Sequence, residues 1–333
     1  MKPTDARFQA ILKNFTTLDP VFVIGDVGID KYTYGDVKRI SPEAPVPVLE
    51  VSKEWNKLGL AANVSDNLKS LTVASTLCGV VGSDSRADLL DSLLEERGLK
   101  TWGLVRDPSR MTTYKERVTT GTQQICRVDY ESRHALSDEM YGKFKLRCSE
   151  FSRDHSGVII EDYGKGLLGE DLIQHTIRSF TEAKKFVAVD PSRTTPPLWY
   201  RGAHLLKPNL TEAQLMVEAL GYFKERNVET MARILVEKLA LKKIIVTLGP
   251  DGMGMLDTEL DGVLKVIPTV ANEVFDVSGA GDTAISAITA SLLSGASLEE
   301  AAWIGNCASG VVVRKRGTAL CTIDELQSFY KNL

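Results

Sequence analysis

The segment Asp276-Val277-Ser278-Gly279-Ala280-Gly281-Asp282 has the clearest capacity for chemistry in this sequence, and helical spacing follows it from Thr283 to Leu293. Small residues at the mouth of a helix leave backbone N–H groups uncovered, and the helix dipole adds positive potential there. The amides of Gly279, Ala280 and Gly281 would then form a nest suited to the charge that develops on a transferring phosphoryl group. Asp282, at the end of the nest, can take the proton of an attacking hydroxyl within the same small volume. The plainer alternative is a glycine-rich turn with Asp282 capping the helix. A fixed D…GAGD pattern in front of a helix favours phosphoryl transfer to a hydroxyl, with Asp282 as the base.

Such a nest must stand at the edge of a scaffold, and the chain supplies one. Short apolar runs alternate with helical periodicity, the pattern of a parallel sheet covered by helices on both faces, so the fold class is a doubly wound α/β protein. Val21–Gly25, Val73–Val80, Gly157–Ile160, Phe186–Val189 and Ile244–Leu248 are expected strands, with a helix through Ala87, Leu90, Leu93 and Leu94. Several of these runs end in polar or glycine-rich sequence: Glu161-Asp162-Tyr163, Asp190-Pro191, and Gly249-Pro250-Asp251-Gly252. Ligands gather beyond the carboxyl ends of strands in such sheets. Residues 31–53 and 111–131 lack helical period and long apolar runs, so both are expected as antiparallel strands of a small flap over one end of the sheet. One domain over 1–333 with this flap is the expected organisation.

Composition narrows the partners. The 333 residues are 43% hydrophobic and 25% charged, ordinary for a globular chain with a sizeable core. A formal net charge of −4 gives no basic field for nucleic acid or an anionic membrane, so any anionic ligand is held by a few placed groups. The five cysteines form no CxxC pair and the four histidines no HxxxH or HExxH spacing, which suggests no zinc site and fits a reducing compartment. No run approaches the ~20 apolar residues of a membrane span, and the first twenty residues lack a signal-peptide core. A cytoplasmic protein is expected.

The segment DVSGAGDT resembles the C-terminal signature of the ribokinase-like (PfkB) carbohydrate kinases, and the likeness runs from about Val21 to Glu325. Gly25–Tyr32, Tyr34-Gly35-Asp36, Arg39–Val48 (RISPEAPVPV), Gln123-Gln124, Arg127-Val128-Asp129, Asp162–Gly166 and Lys207–Glu212 are similar to one branch of that family. That branch phosphorylates D-glycero-β-D-manno-heptose 7-phosphate at its 1-hydroxyl with ATP and Mg²⁺, on the route to ADP-heptose and the lipopolysaccharide core. It often forms the first domain of a bifunctional ADP-heptose synthase; no nucleotidyltransferase domain is expected here. The resemblance implies a ribokinase-like sheet with a β-strand lid, and a homodimer through the flap. Another PfkB kinase of a sugar, sugar phosphate or nucleoside is the nearest alternative. A catalytically silent sugar- or nucleotide-binding regulator is the alternative of a different class.

The resemblance also implies residue roles. Asn209, Leu210, Thr211 and Glu212 match the element beside the nucleotide phosphates, with Asn209 and Glu212 holding Mg²⁺ through its waters. The same four residues could simply be a helix start with a capping box. Thr247, Gly249 and Gly252 match a nucleotide loop, and Asn306, in an expected helix Ala301–Val313, a position near adenine. Asp30, Gly59 and Asn63 match the sugar site, while Lys115, Arg117, Arg127, Asp162 and Lys165 are candidates for the acceptor and its phosphate, for which Arg and Lys are suited. Solvated strand or loop charges are the ordinary alternative for these. One departure stands out: the branch's Pro-Gly-Gly-Ala-Ala-Asn is Leu58-Gly59-Leu60-Ala61-Ala62-Asn63 here, with the second glycine replaced by Leu60. Leucine at positive φ is costly, so either that backbone is unstrained in this chain or the sugar pocket differs.

Overall fold

A computed structural model describes residues 2–121, 123–271 and 273–333; Thr122, within the expected flap segment 111–131, lies outside them. In chain order the strands are β1 (Val21–Gly25), β2 (Val27–Ile40), β3 (Pro47–Leu60), β4 (Ser75–Val81), β5 (Leu104–Arg106), β6 (Thr113–Thr119), β7 (Gln124–Tyr130), β8 (Gly157–Glu161), β9 (Phe186–Asp190), β10 (Leu205–Leu206), β11 (Lys243–Thr247), β12 (Met253–Asp257) and β13 (Lys265–Ile267). The helices are α1 (Asp5–Phe15), α2 (Ala61–Ser70), α3 (Ser85–Glu96), α4 (Asp138–Asp154), α5 (Glu170–Glu182), α6 (Leu210–Ala219), α7 (Val228–Leu239), α8 (Ala280–Leu293), α9 (Leu298–Val312) and α10 (Ile323–Lys331).

The larger sheet has nine strands in the order β13-β12-β11-β10-β9-β8-β1-β4-β5. The run from β11 to β5 is parallel, and β12 and β13 add antiparallel edges. Successive side chains of a strand point to opposite faces, and β1 divides accordingly. Val21 and Val23 join the core under α1, α2, α8 and α9, while Phe22 and Ile24 join the core under α4, α5, α6 and α7. From β1 the chain builds outward through β4 to β5, then returns to lay β8 on the other side of β1. That reversal opens a crevice at the carboxyl ends of β1 and β8, the place where doubly wound sheets hold ligands. Asp26 and the Asp162-Tyr163 pair stand there.

The flap is a four-stranded sheet in the order β3-β2-β6-β7. It is longer than its sequence suggested, because β2 starts one residue after Asp26 and β3 runs on to Leu60. The expectation of wholly antiparallel strands is corrected at one seam, where β2 and β6 pair in parallel. The reason is connectivity: β6 arrives after the β4–α3–β5 excursion instead of a hairpin, and a long crossover permits parallel pairing. Helix bounds moved too. α8 begins at Ala280, so the nest is its own first turn, and α9 begins at Leu298 behind a capping box of Ser297 and Glu300.

β3 hands over to α2 at Leu60, whose φ of 60° and ψ of −139° lie where glycine is at home and leucine is strained, by about 1–3 kcal/mol. Leu60 stays in register with Val27 of β2, and the next amide, Ala61 N, donates to the Asp26 carbonyl at 2.9 Å. These ties fix the turn on both sides, so the unstrained alternative is overturned. The leucine side chain is only 6% exposed, and its burial offsets part of the strain. Ordinarily Ala is more stable than Gly by up to about 1 kcal/mol within an element. Here Leu60→Gly should be the more stable of the pair Leu60→Gly and Leu60→Ala in urea unfolding, since Ala keeps the strain and Gly loses it. The usual order would mean that the backbone at residue 60 is not left-handed.

Candidate active site

Asp282 lies in the first turn of α8 and is 7% exposed. Its Oδ2 accepts from Asn63 Nδ2 at 2.6 Å, and its Oδ1 accepts from the Tyr163 hydroxyl at 2.8 Å. Burial pushes its carboxyl above the usual carboxylate range, while the bonds from Asn63 and Tyr163 pull the other way by favouring the charged form. Asn63 is held in turn: Asn67 Nδ2 donates to its carbonyl at 2.9 Å, and the Thr283 hydroxyl fixes Asn67 Oδ1 at 2.7 Å. Asp282 does not cap the helix. The cap is Gly279 at φ 79°, where a Cβ would stand 2.9 Å from Thr318 Cγ2 and 3.0 Å from Asn63 Nδ2. Glycine is therefore required for the nest to close on Asn63. Asp276 shapes its other end, with Oδ1 accepting from Ser278 N and Oδ2 from Gly317 N, both at 2.9 Å.

On the flap side, Asp30 sits within β2 and not in a loop, and it is buried. Its Oδ1 pairs with Arg117 at 2.7 Å and its Oδ2 accepts from the Thr318 hydroxyl at 3.1 Å. Gly59 on β3, paired with Gly28 and diagonal to Asp30, permits this approach, since a Cβ there would lie 3.1 Å from Asp30 Cγ. Lys115 projects from β6 with its ammonium 5.4 Å from the Tyr163 ring centroid, and burial lowers its pKa. The remaining candidates are occupied elsewhere. Arg127 is exposed and binds Asp129 through two nitrogens at 2.8 and 2.9 Å. Lys165 pairs with Glu131 at 2.7 Å. Asp162 is a loop anchor: Thr195, Tyr200 and Gly164 N fill its two oxygens at 2.7–2.8 Å.

On the opposite side, Asn209 and Glu212 form a reciprocal capping box at the start of α6, with Leu210 and Thr211 in its first turn. The box uses Asn209 Oδ1 and Glu212 Oε2 and leaves Glu212 Oε1, 3.6 Å from Arg193. Thr247 ends β11 and bridges Asn209. Gly249 and Gly252 both have positive φ, but they differ in surroundings: a Cβ at Gly252 would overlap the Ile267 carbonyl at 2.0 Å, whereas at Gly249 it would meet nothing within 4 Å. Asn306 is buried on α9 and donates to the Pro268 carbonyl at 2.7 Å.

Residue-by-residue reading of the sequence did not assign the groups between these two sides. Lys207 is buried in an ion pair with Asp190 at 2.7 Å, and a Cβ on Gly281 would lie 3.7 Å from its ammonium. Glu161 ends β8 in register with Asp190, fully enclosed, and its Oε2 has no hydrogen-bond partner. Burial, then Asp190 and Asp282, push the Glu161 carboxyl well up; burial takes Asp190 to about 7 against the pull of Lys207. The sequence signal was the pair of acidic strand ends, which marks an edge without assigning roles. A crevice results in which a buried carboxylate, a helix N-terminus and a buried lysine converge, suited to activating a hydroxyl beside a phosphoryl group.

Residues 21–325 match the model of the pfkB family carbohydrate kinases. Among curated proteins, the bifunctional protein HldE of Helicobacter pylori is 40% identical over 306 residues, covering 92% of this chain and 65% of that protein. The protein of the same name from Paramagnetospirillum magneticum is 38% identical over 308 residues, with 92% and 62% covered. The chain thus spans about 65% of the length of the curated relatives it matches. Phosphofructokinase-2 of Escherichia coli superimposes with a TM-score of 0.77 at 21% identity, covering 95% of this chain and 99% of that one. Arabidopsis thaliana ribokinase complexed with ribose and ATP gives 0.74 at 17% identity, with 94% and 99% covered. The fold is accordingly that of the ribokinase-like kinases, and the chain belongs to the pfkB family of carbohydrate kinases.

Proposed function

We propose that this kinase transfers the γ-phosphoryl group of ATP to the 1-hydroxyl of D-glycero-β-D-manno-heptose 7-phosphate, giving the 1,7-bisphosphate. The observation that carries the chemistry is the buried Asp282 carboxylate set in the first turn of α8. The choice of sugar is supported by the Arg39–Val48 run and by relatives named bifunctional protein HldE at about 40% identity. It is also supported by Lys115, whose half-buried ammonium has no carboxylate within ion-pair distance among the described residues. A half-buried cation without a carboxylate partner is what a substrate phosphate would neutralise.

In this reading the acceptor enters between the flap and α8, with Asp30 and Asn63 orienting its hydroxyls and Lys115 and Arg117 taking its phosphate. Asp282 accepts the proton of the attacking hydroxyl. The amides of Gly279, Ala280 and Gly281, with Lys207 alongside, meet charge on the phosphoryl oxygens. Flap closure excludes water, which would otherwise compete as acceptor. The nucleotide lies along Thr247, Gly249, Gly252 and the α9 edge at Asn306. The donor chemistry fits Mg²⁺: Glu161, Asp190 and Glu212 are hard oxygen donors around one buried lysine, and Glu161 Oε2 is unpartnered. Asn209 and Glu212 would hold the ion through its waters, and when bound it offsets charge on the ATP phosphates. We place the enzyme in the cytoplasm, as one kinase unit with its flap; no helix of the described residues is long and apolar enough to cross a membrane. Ile40, Val46 and Val51 lie exposed on the flap, and we propose that two flaps pair to cover them.

The strained Leu60 beside Asn63 favours keeping a second acceptor in view, another sugar or sugar phosphate. ADP release measured against a panel of sugars and sugar phosphates separates the two, with heptose 7-phosphate expected to give the highest kcat/KM. No release with any of them would support a silent binding protein. Asp282→Asn should lower turnover by about 10²–10⁴-fold while binding of an ATP analogue and the melting temperature persist. Unchanged turnover would contradict a role for Asp282 as base. Lys115→Met should raise KM for the sugar phosphate about ten- to hundred-fold with ATP binding unaffected; an unaltered KM would place the phosphate elsewhere.

A further inference from the structure

Tyr163 touches the proposed base on one side and faces the flap on the other. Its hydroxyl donates to Asp282 Oδ1 at 2.8 Å, and Lys115 of β6 lies over its ring. The loop that carries it is pinned from below by a second buried carboxylate. Asp26 Oδ2 accepts from Tyr163 N at 3.2 Å and from Lys165 N at 3.0 Å, and Asp26 Oδ1 accepts from Leu167 N at 3.4 Å. Asp162 adds a bond from Gly164 N at 2.7 Å, and Gly164 and Gly166 turn the chain at φ 66° and 93°. So many ties on a five-residue stretch exceed what a surface loop needs, and they converge on the aim of one phenol.

We propose that Tyr163 is the positioning residue of the base: its phenol fixes the rotamer of Asp282 and keeps that carboxylate ionised, leaving a free lone pair turned to the acceptor hydroxyl. This rests on the reading of Asp282 as the base. Asp26 acts one step further back, by fixing Tyr163. A buried carboxylate left with Asn63 alone would take up a proton more readily and could rotate. The charged groups around Asp282 are Lys207 beyond β10, which favours its ionised form, Asp30 of β2, which opposes it, and Glu161 and Asp190 at the ends of β8 and β9, which feel its charge. Tyr163 itself stays a neutral donor, since burial and the charge of Asp282 hold its own ionisation far above neutrality. Loss of its bond therefore moves the Asp282 pKa upward. The ionised base is present above its pKa, so the acid limb of the rate profile should move to higher pH.

The test is Tyr163→Phe, which keeps the ring under Lys115 and removes only the phenol oxygen, run beside Asp282→Asn and the parent enzyme. Sugar-phosphate-dependent ADP release is measured from pH 5 to 9 as kcat and kcat/KM. Tyr163→Phe is expected to lower kcat about ten- to hundred-fold at neutral pH, shift the acid limb upward and leave KM for ATP unchanged. A Tyr163→Phe enzyme with parental kcat and acid limb, while Asp282→Asn is inactive, overturns the role of Tyr163 alone. Loss of kcat with an unmoved acid limb overturns it too, because it indicates packing and not control of ionisation. An active Asp282→Asn enzyme overturns the reading of the base on which the proposal stands.

Discussion

A carboxylate that must be both buried and charged is the constraint on which the rest of this molecule depends. Withdrawal from water favours the protonated form of Asp282, which could not serve as the base proposed above. The fold counters this with fixed dipoles: an amide from Asn63, a phenol from Tyr163 and the amino end of α8. Each comes from a different part of the chain. Asn63 belongs to α2, the helix after flap strand β3, Tyr163 to the loop that follows β8, and Asp282 to a helix more than a hundred residues later. The doubly wound sheet is what brings them together, because its point of reversal sets β1 beside β8 under the start of α8.

The same logic ties the flap to the nest. Thr318, in the loop after α9, donates its amide to the Tyr32 hydroxyl at 2.8 Å and its own hydroxyl to Asp30 at 3.1 Å, and Lys57 donates to its carbonyl. Its neighbour Gly317 donates to Asp276 at the head of the nest. A shift of β2 or β3 is thus felt at Gly279 through two or three hydrogen bonds, not through a long path. The strained turn at Leu60 sits at the junction of β3 and α2, between Asp26 and Asn63. Strain at such places persists only where the surroundings over-determine the backbone.

Much of this was legible in the sequence, and the boundary of legibility has a physical cause. Buried strands such as Val21–Gly25 and the glycine-rich start of α8 are local signals, written in consecutive residues. The capping box at Asn209 and Glu212 is equally local, and both hydrogen bonds are present. The β2–β6 seam was misjudged because strand direction depends on connection, which no window of residues contains. Asp162, Lys165 and Arg127 have the right chemistry for a ligand but are occupied by Tyr200, Glu131 and Asp129, partners that only folding supplies. Lys207 and Glu161 were missed for the converse reason: they matter through depth, and burial of a charge cannot be seen in its spelling. Leu60 shows a third case, in which the sequence marked an anomaly and the backbone angle resolved it.

The most direct test of the central claim is a crystal structure of the protein with heptose 7-phosphate and a non-hydrolysable ATP analogue. The account predicts the 1-hydroxyl oxygen of the sugar within hydrogen-bond distance of the Asp282 carboxylate, the γ-phosphate over the Gly279–Gly281 amides and the 7-phosphate against Lys115 and Arg117. A 1-hydroxyl held by any acid other than Asp282, or a γ-phosphate away from the start of α8, would contradict it.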